Sequence, residues 1–159
     1  MMGIEIERKF LVHHQKWKEL SKPVGNTYKQ GYILSDEKRT VRIRVTDDAA
    51  YITLKGGTSG ISRNEFEYTI PVAEGNEILD GFATSSIDKV RYKITYAGNV
   101  WEVDVFSGDN DGLIVAEIEL DSEDQPFDKP DWVTDEVSDD YLYTNASLSV
   151  SPYKLWKNS

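Results

Sequence analysis

The 159-residue chain contains no cysteine. That removes disulfides, thiolate nucleophiles and cysteine-based metal sites, and it suits a reducing compartment. Histidine is almost as scarce. His13 and His14 are the only two, so zinc and copper lack their usual nitrogen ligands, and any bound metal should be a hard, oxygen-seeking ion. No apolar run approaches the roughly 18 residues of a membrane span. The start Met1-Met2-Gly3-Ile4-Glu5 carries charge where a secretory signal needs an apolar core. The expectation is a soluble, cytoplasmic protein with no membrane partner.

Positive charge is also in short supply, with 18 Lys and Arg against 28 Asp and Glu and a net charge of −10. The deficit is local. From Asp121 to Asp140 nine acids meet only Lys129, whereas the other 19 acids and 17 bases nearly balance. The acidic stretch reads as a solvated face, and without a broad basic surface nucleic acid is not an expected partner. The length fits one domain over 1–159, able to bury about two thirds of the surface that its unfolded form exposes.

What the chain does have is alternation. Segments rich in β-branched and aromatic residues recur at about 4–12, 27–34, 38–46, 50–56, 62–71, 87–96, 100–106 and 113–121, which predicts about eight strands. Asp47-Asp48, Gly56-Gly57, Gly98-Asn99 and Asp109-Asn110-Asp111-Gly112 punctuate them, because Gly, Asn and Asp tolerate the positive φ of tight turns. The last lacks the spacing and closing glutamate of a calcium loop and reads as a plain turn. Helical patterns are fewer, at 14–21, at 74–83 with Ile78, Leu79 and Phe82 on one side, and around 139–149.

Parity places the charges. Strand side chains alternate with period two, so Glu5, Glu7 and Lys9 share one face, and most of Ile4, Ile6, Phe10 and Val12 take the other. One such strand is what any half-exposed sheet shows. The pattern repeats, however. Arg42 and Arg44, Lys55, Arg63 with Glu65 and Glu67, Lys89 with Arg91 and Lys93, Glu102 with Asp104, and Glu117 with Glu119 all oppose apolar neighbours. A flat sheet with one wet face satisfies this parity, with cross-strand pairs contributing only about 0.2–1 kcal/mol each. Eight strands is also the number at which an antiparallel sheet closes on an interior that holds side chains or one small ligand.

Closure would bring both signs inside. Buried unpaired ions cost several kcal/mol each, so such a lumen must be wet, internally paired or built for a charged guest. A polyanion carrying a divalent metal uses both signs. Arg and Lys would grip phosphate oxygens, and clustered carboxylates would hold Mg2+ or Mn2+.

Glu5-Ile6-Glu7-Arg8-Lys9 near the N-terminus closely resembles the signature of the CYTH superfamily, also called triphosphate tunnel metalloenzymes. The likeness continues in order through Gln30-Gly31-Tyr32, Arg42-Ile43-Arg44, Leu54-Lys55, Ser62-Arg63-Asn64-Glu65-Phe66-Glu67, Lys89-Val90-Arg91-Tyr92, Glu102-Val103-Asp104 and Glu117-Ile118-Glu119. The resemblance implies a mainly β protein, a closed eight-stranded antiparallel barrel with a charged interior, flanking helices and a C-terminal helix near one tunnel end. It implies metal ligation by Glu5, Glu7, Glu117 and Glu119, with Asp104, Glu65 and Glu67 as further ligands. The triphosphate cradle would be Lys9, Arg42, Arg44, Lys55, Lys89 and Arg91, joined by Arg63.

Lys9 and Tyr32 are the implied catalytic residues. Tyr32 resembles a tyrosine read as a proton acceptor in short bacterial members, although a phenol with a pKa of about 10 needs nearby cations to act as a base at neutral pH. The segment Val137–Leu148 resembles the closing helix. The expected activity is hydrolysis of inorganic triphosphate to pyrophosphate and phosphate with Mg2+ or Mn2+, two ions per tunnel. Nucleoside triphosphate hydrolysis, cyclisation to a cyclic nucleotide, and phosphate-rich ligand binding without turnover are the alternatives. Uncovered apolar positions would support a homodimer.

Overall fold

The computed structural model describes residues 3–156. Nine strands form one antiparallel sheet: β1 (Ile4–Val12), β2 (Asn26–Ser35), β3 (Arg39–Val45), β4 (Ala50–Gly56), β5 (Ser62–Ile70), β6 (Ser85–Tyr96), β7 (Asn99–Phe106), β8 (Ile114–Glu119) and β9 (Val133–Glu136). Their order is β5-β4-β3-β2-β6-β7-β8-β1-β9, and a further β1–β5 pairing closes the first eight into a barrel. Closure pairs β5 with β1, which leaves fewer free edges to template aggregation.

The ninth strand has no counterpart in the alternation pattern. Val133–Glu136 lies inside the acidic stretch read as a solvated face, and it pairs with the far end of β1, Phe10 opposite Glu136 and Val12 opposite Val133. Its four residues are too short for alternation to register, and tertiary pairing recruits them.

Register follows the parity. Apolar residues of one parity face outward and are covered in two places. Over β1, β7 and β8, Phe10, Trp101, Val103 and Ile118 meet Trp17, Phe127 and Trp132, with the Phe10 and Trp101 rings edge-on at 5.6 Å. Trp17 comes from α1 (His14–Glu19), two residues shorter than the 14–21 pattern. Over β3 and β4, Ile43, Val45 and Ala50 receive Ile78 and Leu79 of α2 (Val72–Phe82). Phe82 does not join them and stays 66% exposed, because the helix ends there. Leu54, Phe66 and Tyr68 remain exposed on the outer face of β4 and β5.

Gly75 lets α2 lie against the sheet. A Cβ there would stand 2.6 Å from Ala50 Cβ and 3.1 Å from Val45 Cγ2. Gly75→Ala gains up to about 1 kcal/mol in helix propensity but overpacks the contact by about 1–3 kcal/mol. A net loss of stability is expected in denaturant unfolding. An unchanged or raised midpoint would show that α2 is loosely seated.

The predicted helix at 139–149 is instead two pieces. A 3-10 turn at Tyr141–Tyr143 is followed by α3 (Asn145–Val150). Thr144 between them is extended, and its side chain caps the second piece by accepting from the Ser147 amide, a stronger local choice than one continuous helix. The Asp109–Gly112 segment is a turn, as its spacing predicts. Among the described residues no helix is long and apolar enough to cross a membrane.

Candidate active site

The barrel encloses a charged chamber of about 290 Å³. Cross-strand register builds its walls: Lys9 opposes Glu117 and Glu7 opposes Glu119, Lys55 opposes Glu65 and Thr53 opposes Glu67, and Arg91 opposes Asp104 while Lys93 opposes Glu102. Pairing at Cβ distances of about 5 Å lets long side chains of opposite sign meet over the lumen. Five cations and seven carboxylates line the chamber with Tyr28, Tyr51 and Asn145.

One wall is a fixed ion network. Arg91 donates through Nε to Asp104 Oδ1 at 2.7 Å and through Nη2 to Asp104 Oδ2 at 2.9 Å and to Glu117 Oε1 at 3.0 Å. Glu102 stands 3.4 Å from its Nη1. Lys89 donates to Asp104 Oδ2 at 2.6 Å. Desolvation is the largest influence on the Lys89 ammonium and, with Arg91 and Arg44 close by, brings its pKa down to about 7 despite Asp104. For Glu117, burial alone would raise the carboxyl, but Lys9, Arg91 and Lys89 outweigh it and hold it well below the usual range.

Asp104 and Lys89 are almost fully buried and stand behind the chamber wall rather than on it. The oxygens of Asp104 are taken up by Arg91 and Lys89, which leaves it the least available of the expected metal ligands. Its geometry is that of a residue orienting Arg91.

The opposite wall carries the other arginines. Arg44 donates from Nε to Gln30 Oε1 at 2.9 Å and lies 4.9 Å over the Tyr28 ring, which also faces Arg91 at 5.2 Å. Burial, then Arg42 and Arg91, brings the Arg44 pKa down to about 10. Arg42 donates from Nη2 to Thr53 Oγ1 at 3.2 Å and lies 3.7 Å from Glu67, while its Nε is buried without a partner. Such an orphan donor costs about 1–3 kcal/mol unless a ligand satisfies it. Tyr32 is buried, with its hydroxyl 3.4 Å from Gln30 Nε2. Lys9 Nζ donates to the Tyr143 carbonyl at 3.1 Å, so the segment before α3 does sit at one tunnel end.

Glu5 receives two hydrogen bonds from Lys55 Nζ, at 3.1 and 3.2 Å, and Glu65 lies 3.3 Å from the same ammonium. Burial would raise Glu5, yet Lys55 and a hydrogen bond with Glu65 lower it. Glu7 behaves in the opposite way. Burial, with the Glu117 and Glu5 carboxylates adding to it, pushes Glu7 well above the usual range. Glu119 at the mouth is also raised, by desolvation first and then by Glu5 and Glu102.

Among the described residues no three carboxylates form a ready-made coordination cluster. Glu7 nonetheless shows that the donors fit a cation: burial and the neighbouring Glu117 and Glu5 carboxylates disfavour its negative charge, and a hard divalent ion would offset that cost.

Every residue expected at the site falls within this barrel interior. Parity reasoning missed Tyr28, Tyr51, Gln30 and Asn145. The first three share parity with Tyr32 and Lys55, so their inward direction was legible, but an aromatic or amide carries no charge to flag it. Asn145 Oδ1, 3.4 Å from Lys89 Nζ, arrives from outside the sheet and had no signal.

The sequence pattern of the CYTH domain family matches residues 3–149. An inorganic triphosphatase of Acetivibrio thermocellus is 50% identical over 157 residues, covering 98% of this chain and 99% of its own. An inorganic triphosphatase of Nitrosomonas europaea is 34% identical over 155 residues, covering 92% and 97%. The crystal structure of an inorganic triphosphatase matches with a TM-score of 0.64 at 31% identity, over 92% of this chain and 98% of that one. The charged barrel, its register and nearly full-length similarity converge: the chain belongs to the CYTH domain family.

Proposed function

We propose that this protein hydrolyses inorganic triphosphate to pyrophosphate and orthophosphate, using Mg2+ or Mn2+, two ions per tunnel. The observation that carries the reading is a single enclosed chamber whose wall supplies five cations and seven carboxylates together. A triphosphate needs the first set and its accompanying metal the second. The named activity of the 50% and 34% identical relatives supports the same reading.

Arg42, Arg44 and Arg91 grip the phosphate oxygens, Arg42 using the Nε that has no partner in the protein. Lys9 and Lys55 add point charges where negative charge develops in the transition state. Glu5, Glu7, Glu117 and Glu119 would hold the metal, with Glu65 and Glu67 near the rim. Bound there, a divalent ion supplies charge neutralisation at the phosphoryl oxygens and a more acidic water. Tyr32, whose hydroxyl accepts from Gln30 Nε2 at 3.4 Å, is the candidate proton acceptor and would serve as one only as a phenolate. Asp104 holds Arg91 in place.

An inorganic chain is favoured over a nucleotide by the wall itself. Apart from two tyrosines and Asn145 every lining residue is charged, and the Tyr28 face is already taken by arginines. Among the described lining residues no aliphatic side chain offers a slot for a base.

Phosphate release from tripolyphosphate, ATP and pyrophosphate, each with Mg2+, Mn2+ and Ca2+, tests this. Tripolyphosphate with Mg2+ or Mn2+ should be turned over fastest. Metal-dependent binding without release would make the protein a binder, and a cyclic product from ATP would make it a cyclase. In parallel, tripolyphosphate with Mg2+ at about 100 times its Kd should stabilise the fold by about 2.7 kcal/mol, read as a rise in Tm. No shift at millimolar ligand would count against the cradle.

A further inference from the structure

The barrel seam is incomplete. β1 pairs with β5 only over Ile4–Ile6, and from Phe10 onward the same edge is taken by β9. The last bond on one side runs from the Glu7 amide to Ile61 O at 3.3 Å, and the first on the other from the Lys9 amide to Ser138 Oγ at 2.9 Å, followed by the Val137 amide to Lys9 O at 2.8 Å. A window lies between them. A cavity of about 70 Å³, with Glu5 and Glu7 beside Lys9 and Arg63 at its inner end, reaches out to Thr58 and Gly60 on one lip and Ser138 and Asp140 on the other. Thr58, Gly60 and Asp140 are exposed, so the window opens to solvent.

Behind it lies a side chamber of about 60 Å³ that shares Lys9 and Arg63 with the window and Arg42 and Lys55 with the main chamber. Its charge is of a different kind. Four cations face one carboxylate, Glu7, whereas carboxylates outnumber cations in the main chamber. Arg63 is also a cation without an internal partner: its Nε is buried and unbonded, and among the described residues no carboxylate pairs with its guanidinium. In a barrel where Arg91 alone meets three carboxylates, an arginine left free beside a cationic chamber is positioned for an anion from outside.

We propose that the side chamber is an orthophosphate subsite and the window its exit. This deepens the triphosphatase reading and rests on it. The terminal phosphoryl group of a bound triphosphate occupies the chamber between Lys9 and Arg63, and the other two phosphates stay on the arginines of the main chamber. Water's oxygen bonds to the terminal phosphorus, the bridging P–O bond breaks with its electron pair on pyrophosphate, and the water's protons end on the two products. Orthophosphate leaves through the window and pyrophosphate through the main mouth. Two like-charged products formed side by side thus separate in opposite directions.

The test is direct binding. Orthophosphate titrated calorimetrically into protein saturated with pyrophosphate and Mg2+ should still bind, one per chain. Arg63→Gln should weaken orthophosphate about tenfold, the size of one lost charge-assisted hydrogen bond, with pyrophosphate affinity changed less than about twofold on the same scale. Arg63→Lys should recover part of the loss. Thr58→Trp narrows the window without entering the chamber, and it should produce a burst of product followed by a slower steady state. Displacement of orthophosphate by pyrophosphate, equal weakening of both ligands in Arg63→Gln, or an absent burst in Thr58→Trp would each overturn the exit. If the wild type releases no phosphate from tripolyphosphate, the activity itself falls; if it releases phosphate but binds the two products exclusively, only the exit does.

Discussion

Glu7→Gln is expected to leave the barrel folded and to remove most of the metal activation of triphosphate hydrolysis. Glu7 sits with its pKa well above 4.5 because burial and the Glu117 and Glu5 carboxylates disfavour its charge. Glutamine removes the negative charge that burial and its neighbours disfavour, so stability should hold. The lost carboxylate should lower kcat/KM at limiting Mg2+ by about 10²–10³-fold, the scale seen when one preorganised charge-stabilising group is removed.

The pH dependence adds a sign. A raised carboxyl contributes stability that is fully present below pH 4.5 and is lost as pH rises through its folded-state value. Metal-free wild type should therefore lose stability with rising pH above 4.5 through this group, and Glu7→Gln should not. Metal binding expels the proton, so wild-type metal affinity should climb with pH by up to about tenfold per unit until Glu7 is ionised. Calorimetric metal titrations across pH check this. A Glu7→Gln variant with wild-type metal affinity and the same pH slope would remove Glu7 from the metal site.

Arg91→Ala should be the most destabilising single change in the tunnel. It strips Asp104 of two hydrogen bonds at 2.7 and 2.9 Å and Glu117 of one at 3.0 Å, and it removes the cation 3.4 Å from Glu102. Lys89 remains on Asp104, but a single ammonium cannot replace the paired bonds of the guanidinium fork. Breaking a buried network by deleting one partner costs about 3–5 kcal/mol, or roughly 10 °C in Tm for a chain of this size. Arg91→Lys should recover little, because a point charge cannot bridge three carboxylates as the planar fork does. Adding Asp104→Asn to Arg91→Ala should restore part of the stability by removing the stranded charge. A Tm within about 2 °C of wild type would show that the network does not hold the wall together.

The strands and the inward set were legible because a barrel obeys one local rule. Alternation in Val41-Arg42-Ile43-Arg44-Val45 or Lys89-Val90-Arg91-Tyr92 shows which side chains share a face, and all eight predicted barrel strands are present. The β9 strand was hidden because four residues without alternation carry no period. The split at Thr144 was hidden because one hydroxyl bond at a cap decided it. The inward direction of Asp104 was legible, but its engagement by Arg91 and Lys89 was not, since those partners reach it only through strand pairing.

The amino-acid sequence by itself determined that charges of both signs would share one face of a sheet of about eight strands, since period-two geometry acts residue by residue. It determined that oxygen ligands alone were available to a metal, since cysteine is absent and histidine nearly so. Only the tertiary structure decided which charges are spent on each other and which stay free. Arg91 and Asp104 lock together because β6 and β7 set them in register, the Glu7 carboxyl is raised because closure buries it beside Glu117 and Glu5, and Arg63 is left without a carboxylate because Glu5, opposite it, is taken by Lys55. Those outcomes depend on distances between strands remote in sequence, on which burial and Coulomb energies turn.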